Sequence, residues 1–220
     1  MSFKGFLAVA CLSWILFSCS KDKSIEKSNA GNNTGYQPVT AGSTWYYKDN
    51  TDSSGNFKLV ATGRDTIVNG ITFNIFDDKP DSTSSIYTTL FAQNRNLYYT
   101  LGFITTFGNN ALLYLEDTTV KTTWKQNVPM NVQQLGGQVT AELDFTLAQT
   151  DISYTVNGKT YSNVAHVTLV VKVQVPGLGV SPTGYTGDIY FARGIGIISL
   201  VVQNNGSKAE DISLLNYSIK

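Results

Sequence analysis

The stretch AHVTLVVKVQV, from Ala165 to Val175, alternates between apolar residues and mainly polar ones. In an extended chain every second side chain points the same way, so one face would carry Val167, Leu169, Val171, Val173 and Val175. The opposite face would carry His166, Thr168, Val170, Lys172 and Gln174. This period of two predicts an antiparallel strand that buries one face and exposes the other. The stretch VTAELDFTL, residues 139–147, alternates in the same way.

Short turn signals separate the strand-like stretches. Asn-Gly lies between strand-like residues in IVNGIT (67–72) and in TVNGKT (155–160). Both central positions of a type I′ hairpin turn need a positive φ, which Asn and Gly tolerate. QNRN (93–96) and QNNGSK (203–208) indicate two more hairpin turns. We therefore predict a single all-β domain, either an antiparallel sandwich or an open, curved half-barrel.

The amino terminus has a different composition. Lys4 precedes an almost wholly apolar run that ends in LFSC, residues 16–19. The run is about 12 residues long, which is shorter than the roughly 20 that a membrane span needs. LFSC resembles the bacterial lipobox, with an apolar residue at −3 and a small one before the cysteine. We predict that residues 1–18 are a lipoprotein signal peptide and that Cys19 carries the acyl chains, typically palmitate. An ordinary secretory signal is the alternative.

Residues 19–37 follow as a polar segment in which Ile25 is the sole aliphatic residue larger than alanine. Such a segment cannot bury enough apolar surface to become ordered, so we predict a flexible tether with an r.m.s. span of roughly 23 Å. The composition changes at Pro38, which gives a predicted domain of residues 38–220. Both cysteines, Cys11 and Cys19, precede that domain. It must therefore fold on its hydrophobic core without disulfides.

Most chemistry is disfavoured by the sequence. The formal net charge is zero, and no basic cluster suits nucleic acid. His166 is the only histidine; we expect it on the polar face of its strand, with neither zinc partners nor a nucleophile elbow. Carboxylates are plentiful, but no pattern selects a glycosidase pair. NTDSSG (50–55) and DDKPDS (77–82) match calcium loops only in part. We predict no catalytic residue, metal or cofactor.

Aromatic side chains are the remaining candidates for a binding site. Exposed rings stack on ligands, and we name Trp45 and Trp124 as possible stacking residues, with core packing as the alternative. The favoured function is a non-catalytic binding or accessory module for a glycan, a protein or an apolar ligand. A carrier of lipid or lipoprotein would instead need a continuous apolar cavity. A carboxylate-dependent hydrolase, less favoured, would need two carboxylates that converge in a cleft.

Three segments carry a family resemblance: PVTAGSTWYY (38–47), YTVNGKTYSNVAHV (154–167) and DIYFARGIGIISL (188–200). Together with the lipobox they resemble the uncharacterised β-rich envelope lipoproteins of Bacteroidota. A G-x-x-W-x-Y start, a V-N-G-x-x-Y hairpin and a late Y-F-A-x-G-I-G-I segment recur in that family. The resemblance implies an outer-membrane protein that is held by the lipid on Cys19, in either the periplasmic or the surface leaflet. The family has no established activity to transfer.

Overall fold

A computed structural model describes residues 25–26, 35–51, 55–132, 137–175 and 179–220. Cys19 and the signal sequence lie outside the described residues. The thirteen strands are β1 Ile25–Glu26, β2 Thr44–Asp49, β3 Phe57–Val68, β4 Ile71–Pro80, β5 Tyr87–Asn94, β6 Leu97–Leu101, β7 Leu112–Glu116, β8 Thr123–Val132, β9 Gly137–Val156, β10 Lys159–Val175, β11 Gly179–Ala192, β12 Gly196–Asn204 and β13 Ser207–Ser218. One 3-10 turn, Thr105–Phe107, lies between β6 and β7. None of the described residues forms a helix long and apolar enough to cross a membrane. The predicted all-β class is confirmed.

The strands form one antiparallel, nearly closed, barrel-shaped sheet in the order β7-β6-β5-β4-β3-β2-β13-β12-β11-β10-β9-β8. Most neighbours are consecutive hairpins, and the exception is the pairing of β13 with β2, which joins the two halves of the chain. The short strand β1 pairs in parallel with β10, where Ile25 lies opposite Thr160. The fold is therefore one strongly curved sheet.

The side chains of β9 and β10 alternate between buried and more exposed positions, as the sequence pattern predicts. In β10, Leu169 and Val171 are buried, whereas Val170 is 41% exposed. In β9, Leu143 and Phe145 are buried in the same manner. All four predicted hairpin turns are present, and the turn residues Asn69, Arg95, Asn157 and Asn205 have positive φ. These turns set the register that sends the aliphatic face of each strand inward.

Large aromatic side chains fill the interior of the sheet. The largest of them with less than 2% exposure are Trp45, Tyr36, Tyr47, Tyr98, Tyr114, Tyr161, Phe76, Phe91, Phe107, Phe145 and Phe191. Phe73 is equally buried, but it packs in a separate cluster with Leu90 and Ala92. Several pack edge to face or stacked, such as Phe76 on Phe91, with 5.0 Å between the ring centroids. The interior is therefore a packed core.

Side chains close the gap between the two outermost strands, β7 and β8. The Gln126 side-chain amide accepts a hydrogen bond from the Leu113 N–H (2.9 Å) and donates one to the Ala111 carbonyl (2.5 Å). The Trp124 indole donates to the Leu113 carbonyl at 2.8 Å. We call this junction the seam. β7 and β8 are the two edge strands of the sheet. The side-chain hydrogen bonds of the seam satisfy backbone groups that a neighbouring strand would otherwise pair.

The fold includes residues that the sequence analysis assigns to the tether, namely Ile25–Glu26 of β1 and residues 35–37. Tyr36 is wholly buried and Gln37 is 5% exposed. The Tyr36 N–H donates to the Tyr98 hydroxyl at 3.2 Å, and its ring lies 4.3 Å beneath the Arg193 guanidinium. At Gly35 an added Cβ would lie 2.7 Å from the Gln93 side-chain oxygen, so the chain enters the fold through a gap that admits glycine. These residues belong to the fold because they contact residues that are far away in the sequence. The local composition, on which the tether prediction rests, does not show such contacts.

Candidate ligand-binding groove on the outer face

Trp45 is a core residue in the structure. It is wholly buried, its ring packs on Phe76 with 5.5 Å between centroids, and its indole N–H donates to the Ile195 carbonyl. A ring without exposed surface offers no face on which a ligand can stack. The expectation of a stacking role for Trp45 is therefore corrected to a role in core packing.

Trp124 also packs inside the protein, at the seam. It is 8% exposed, and its ring stacks on Phe145 at 5.5 Å with an interplanar angle of 8°. Its indole N–H is committed to Leu113. A shallow cavity of about 280 Å³ lies beside it on the outer face of β8, β9 and β10. A ligand in that cavity would touch the edge of the indole at most, so stacking on Trp124 stays a prediction.

Ion pairs occupy the cavity beside Trp124. Lys172 lies 2.5 Å from Asp144, and Lys125 lies 2.8 Å from Glu142 and 3.4 Å from Asp144. Burial alone would raise the pKa of Asp144, but the two lysines outweigh it and lower that pKa. The Asp144 carboxylate therefore stays ionised and paired, which suits neither a general acid nor a strong anion-binding site.

A second cavity, of about 300 Å³, lies on the outer face of β13, β2 and β3. We call it the Tyr46 groove. Its lining residues are Thr44, Tyr46, Lys58, Asn216, Tyr217 and Ser218. Tyr46 is opposite Lys58 on β3 and Asn216 on β13, so these three side chains share one row across the sheet. The groove thus combines an aromatic side chain with several uncharged polar groups.

The position of Tyr46 follows from strand alternation. Its neighbours Trp45 and Tyr47 point into the core, which leaves Tyr46 on the outer face. The Tyr46 hydroxyl donates a hydrogen bond to the Asp81 carboxylate. That bond raises the pKa of Tyr46, so the hydroxyl keeps its proton. In the motif GSTWYY (42–47), alternation places Tyr46 on the opposite face from Trp45 and Tyr47, which is the one sequence signal that distinguishes it.

The end of the β9–β10 hairpin folds over the outer face beyond this groove. Tyr154 of β9 stacks on Tyr190 of β11, with ring centroids 3.7 Å apart, although β10 separates these strands in the sheet. The turn residue Asn157 donates to the Ser213 hydroxyl on β13 at 3.1 Å. The hairpin end therefore covers part of β11 to β13 and shields polar residues there.

His166 lies beneath that hairpin end. Its Nε2 is 2.7 Å from the Asp188 carboxylate, and its ring stacks on Tyr190 at 4.3 Å. The side chain is 13% exposed, less than expected for a polar strand face. A catalytic triad also needs a serine hydroxyl bonded to the imidazole, and the residues that the structure describes supply no such bond. The imidazole is thus held between the Asp188 carboxylate and the Tyr190 ring.

The partial calcium motif DDKPDS lies within the described residues, and two of its carboxylates contact other side chains of the protein. Within the described ranges, no group of three or more metal-ligating side chains occurs. Asp77 of DDKPDS is 3.7 Å from Arg64 and 3.5 Å from Lys79, and Asp81 binds Tyr46. Residues 52–54 of NTDSSG lie outside the described residues. Two of the three carboxylates of DDKPDS, Asp77 and Asp81, are thus paired within the protein.

Fold and groove together define the class of the protein: a single all-β domain with a packed, barrel-shaped interior and a polar groove outside. No protein-family profile matches the sequence, and no curated protein matches it. The chain is similar in structure to a protein of Parabacteroides distasonis named as a lipoprotein, with TM-score 0.53 and 11% identity over 84% of this chain and 99% of that one. An exported protein of Bacteroides fragilis with a YmcC-like fold gives TM-score 0.49 and 8% identity, with the same coverage of both chains. The first similarity shows the fold.

Proposed function

We propose that this protein is a lipid-anchored, non-catalytic binding module of the bacterial envelope, attached to the outer membrane through Cys19. The lipobox at residues 16–19 supports the anchor. The name of the Parabacteroides distasonis neighbour, "putative lipoprotein", agrees with it. Two or more acyl chains give stable membrane attachment, and the polar segment after Cys19 separates the domain from the bilayer.

The packed interior is the observation that favours a binding module over a lipid carrier. A carrier must hold an acyl chain in a continuous apolar cavity, but aromatic rings occupy the space inside this sheet. The two cavities described above lie on the outer face. The partner of this module is therefore expected to bind outside the sheet, and the partner classes are a glycan, a protein or an apolar ligand.

The anchor is tested by metabolic labelling with a clickable palmitate analogue in cells that express the full chain. The wild-type protein should incorporate label and sediment with the outer membrane. The Cys19→Ser variant should lose both the label and the sedimentation, whereas Cys11→Ser should retain them. Label that persists in Cys19→Ser would contradict the proposed anchor.

Binding is tested on the soluble chain that begins at residue 20 and therefore lacks Cys19. A thermal-shift screen against glycans, peptides and fatty acids should reveal one class that raises the Tm in a saturable manner. The bound compound should be recovered unchanged by mass spectrometry. Cleavage of the compound by the protein would contradict the non-catalytic assignment.

A further inference from the structure

The Tyr46 groove has the features of a preorganised platform. Tyr46 lies on a strand that is paired on both sides, with β3 and with β13. Its hydroxyl is fixed by the bond to Asp81. A tyrosine has only two side-chain torsions, so a ring held at both ends loses little conformational entropy when a ligand packs against it. The ring is thus a fixed contact surface.

The other groove residues supply hydrogen bonds with little charge. Thr44 and Ser218 offer hydroxyl groups, and Asn216 offers an amide. Lys58 is the one charged residue among the six that line the groove. Hydroxyl and amide groups both donate and accept hydrogen bonds, and Lys58 donates only. Such a set matches a ligand that carries many hydroxyl groups around a ring with an apolar face.

Two other ligand classes fit this groove less well. An acyl chain would need aliphatic walls, and none of the six lining residues is aliphatic. An extended peptide that adds a strand needs an unpaired sheet edge. Here the backbones of β2 and its neighbours are already paired with each other. The volume of about 300 Å³ is at the lower end for ligand pockets, which suits a short portion of a longer chain.

We propose that the Tyr46 groove is a glycan-binding site, in which sugar rings stack on Tyr46 and bond to Asn216, Lys58 and the flanking hydroxyl groups. This inference rests on the proposed binding function and adds its ligand class and site. The groove lies on the outer face of the sheet, where a glycan can reach it from solvent.

The test uses the soluble chain from residue 20 and a glycan array that includes neutral and uronic-acid-containing oligosaccharides. The tightest oligosaccharide is then titrated by calorimetry. Tyr46→Ala should weaken binding about tenfold or more, because it removes the stacking surface. Tyr46→Phe keeps the ring and should weaken binding by less. Tyr87→Ala is the matched control, since Tyr87 is 56% exposed but lies outside the groove, and it should leave the Kd unchanged.

The outcomes separate this inference from the proposed function. Equal affinity for Tyr46→Ala and wild type, with equal melting temperatures, would overturn the assignment of the site. If no oligosaccharide binds but a peptide does, the glycan class is wrong while a binding module survives. If nothing on any panel binds, both proposals fail. A loss of affinity in Tyr46→Ala but not in Tyr87→Ala would support the groove.

Discussion

The hydroxyl group of Tyr114 is buried within the aromatic interior and has no hydrogen-bond partner among the described residues. The ring stacks on Phe191, with 5.2 Å between centroids, and lies edge to face with Phe91. Burial raises the pKa of Tyr114 well above its ordinary value, so the group stays neutral. A buried polar group without a partner costs about 1–3 kcal/mol, whereas the ring itself stabilises the core.

Tyr114→Phe should therefore raise the free energy of unfolding by about 1 kcal/mol, because it removes the unsatisfied hydroxyl and keeps the ring. Tyr47→Phe is the matched control. The Tyr47 hydroxyl donates to the Ile197 carbonyl at 2.8 Å, so its loss should lower the free energy by a similar amount. Urea denaturation of both variants measures the difference. Destabilisation by Tyr114→Phe would show that the hydroxyl has a partner after all.

Asp78 on β4 should make stability depend on pH. Burial raises the pKa of its carboxyl from 3.8 to about 6, and one of its oxygens has no partner among the described residues. The protonated form is thus favoured in the folded state. This contribution is fully present below the unfolded pKa near 4 and is lost as pH rises through about 6.

Asp78→Asn should remove that dependence. Its unfolding free energy, relative to wild type, should increase between pH 4 and pH 7 and then stay constant. Denaturant midpoints measured across this range test the sign, and Asp81→Asn serves as the comparison for a neighbouring carboxylate. A difference that decreases with pH would mean that Asp78 is stabilised in its ionised form.

At the scale of the element, strand β10 allows a direct test of the two faces. Leu169 is 1% exposed, so Leu169→Ala should lower the free energy of unfolding by about 2–5 kcal/mol through the cavity that it leaves. Lys172 lies on the opposite face and forms a partly exposed ion pair with Asp144. Lys172→Ala should therefore cost less than about 1 kcal/mol. Equal urea midpoints for the two variants would contradict the assignment of the faces.

The seam between β7 and β8 is the second element to test. Gln126→Leu removes both hydrogen bonds of the side-chain amide and should lower the free energy of unfolding by about 1–3 kcal/mol. The Leu113 N–H loses its acceptor, so hydrogen exchange at that amide should become faster. Asn127→Leu, the next residue on the opposite face of β8, is the control. Unchanged exchange at Leu113 in Gln126→Leu would mean that other contacts close the sheet.

The features that sequence could predict are the local ones. Alternation within β9 and β10, and Asn-Gly at two turns, depend on residues close together in the chain. The seam, the pairing of β2 with β13, and the contact of Tyr36 with Arg193 join residues that are far apart in sequence. Alternation also separates Tyr46 from Trp45, but it does not say which face is the interior. The site therefore needed the three-dimensional structure.

On the scale of the whole molecule, the chain closes both ends of its own sheet. Tyr36 lies at the end where the tether enters, under Arg193. At the opposite end, Phe103 and Phe107 are buried, and Glu210 accepts hydrogen bonds from the Thr106 N–H and hydroxyl. Burial raises the pKa of Glu210, although these bonds partly offset the rise. The packing of these described residues supports the proposal that a partner binds on the outer surface.

The packed interior can be tested by native mass spectrometry. The soluble chain from residue 20 is purified from cells, and its mass is measured before and after incubation with excess palmitate. We expect the mass of the polypeptide alone under both conditions, because aromatic rings occupy the interior. We also expect an unchanged melting temperature after the incubation. One apolar molecule retained per chain, with a rise in Tm, would contradict the packed interior and favour a lipid carrier over a binding module.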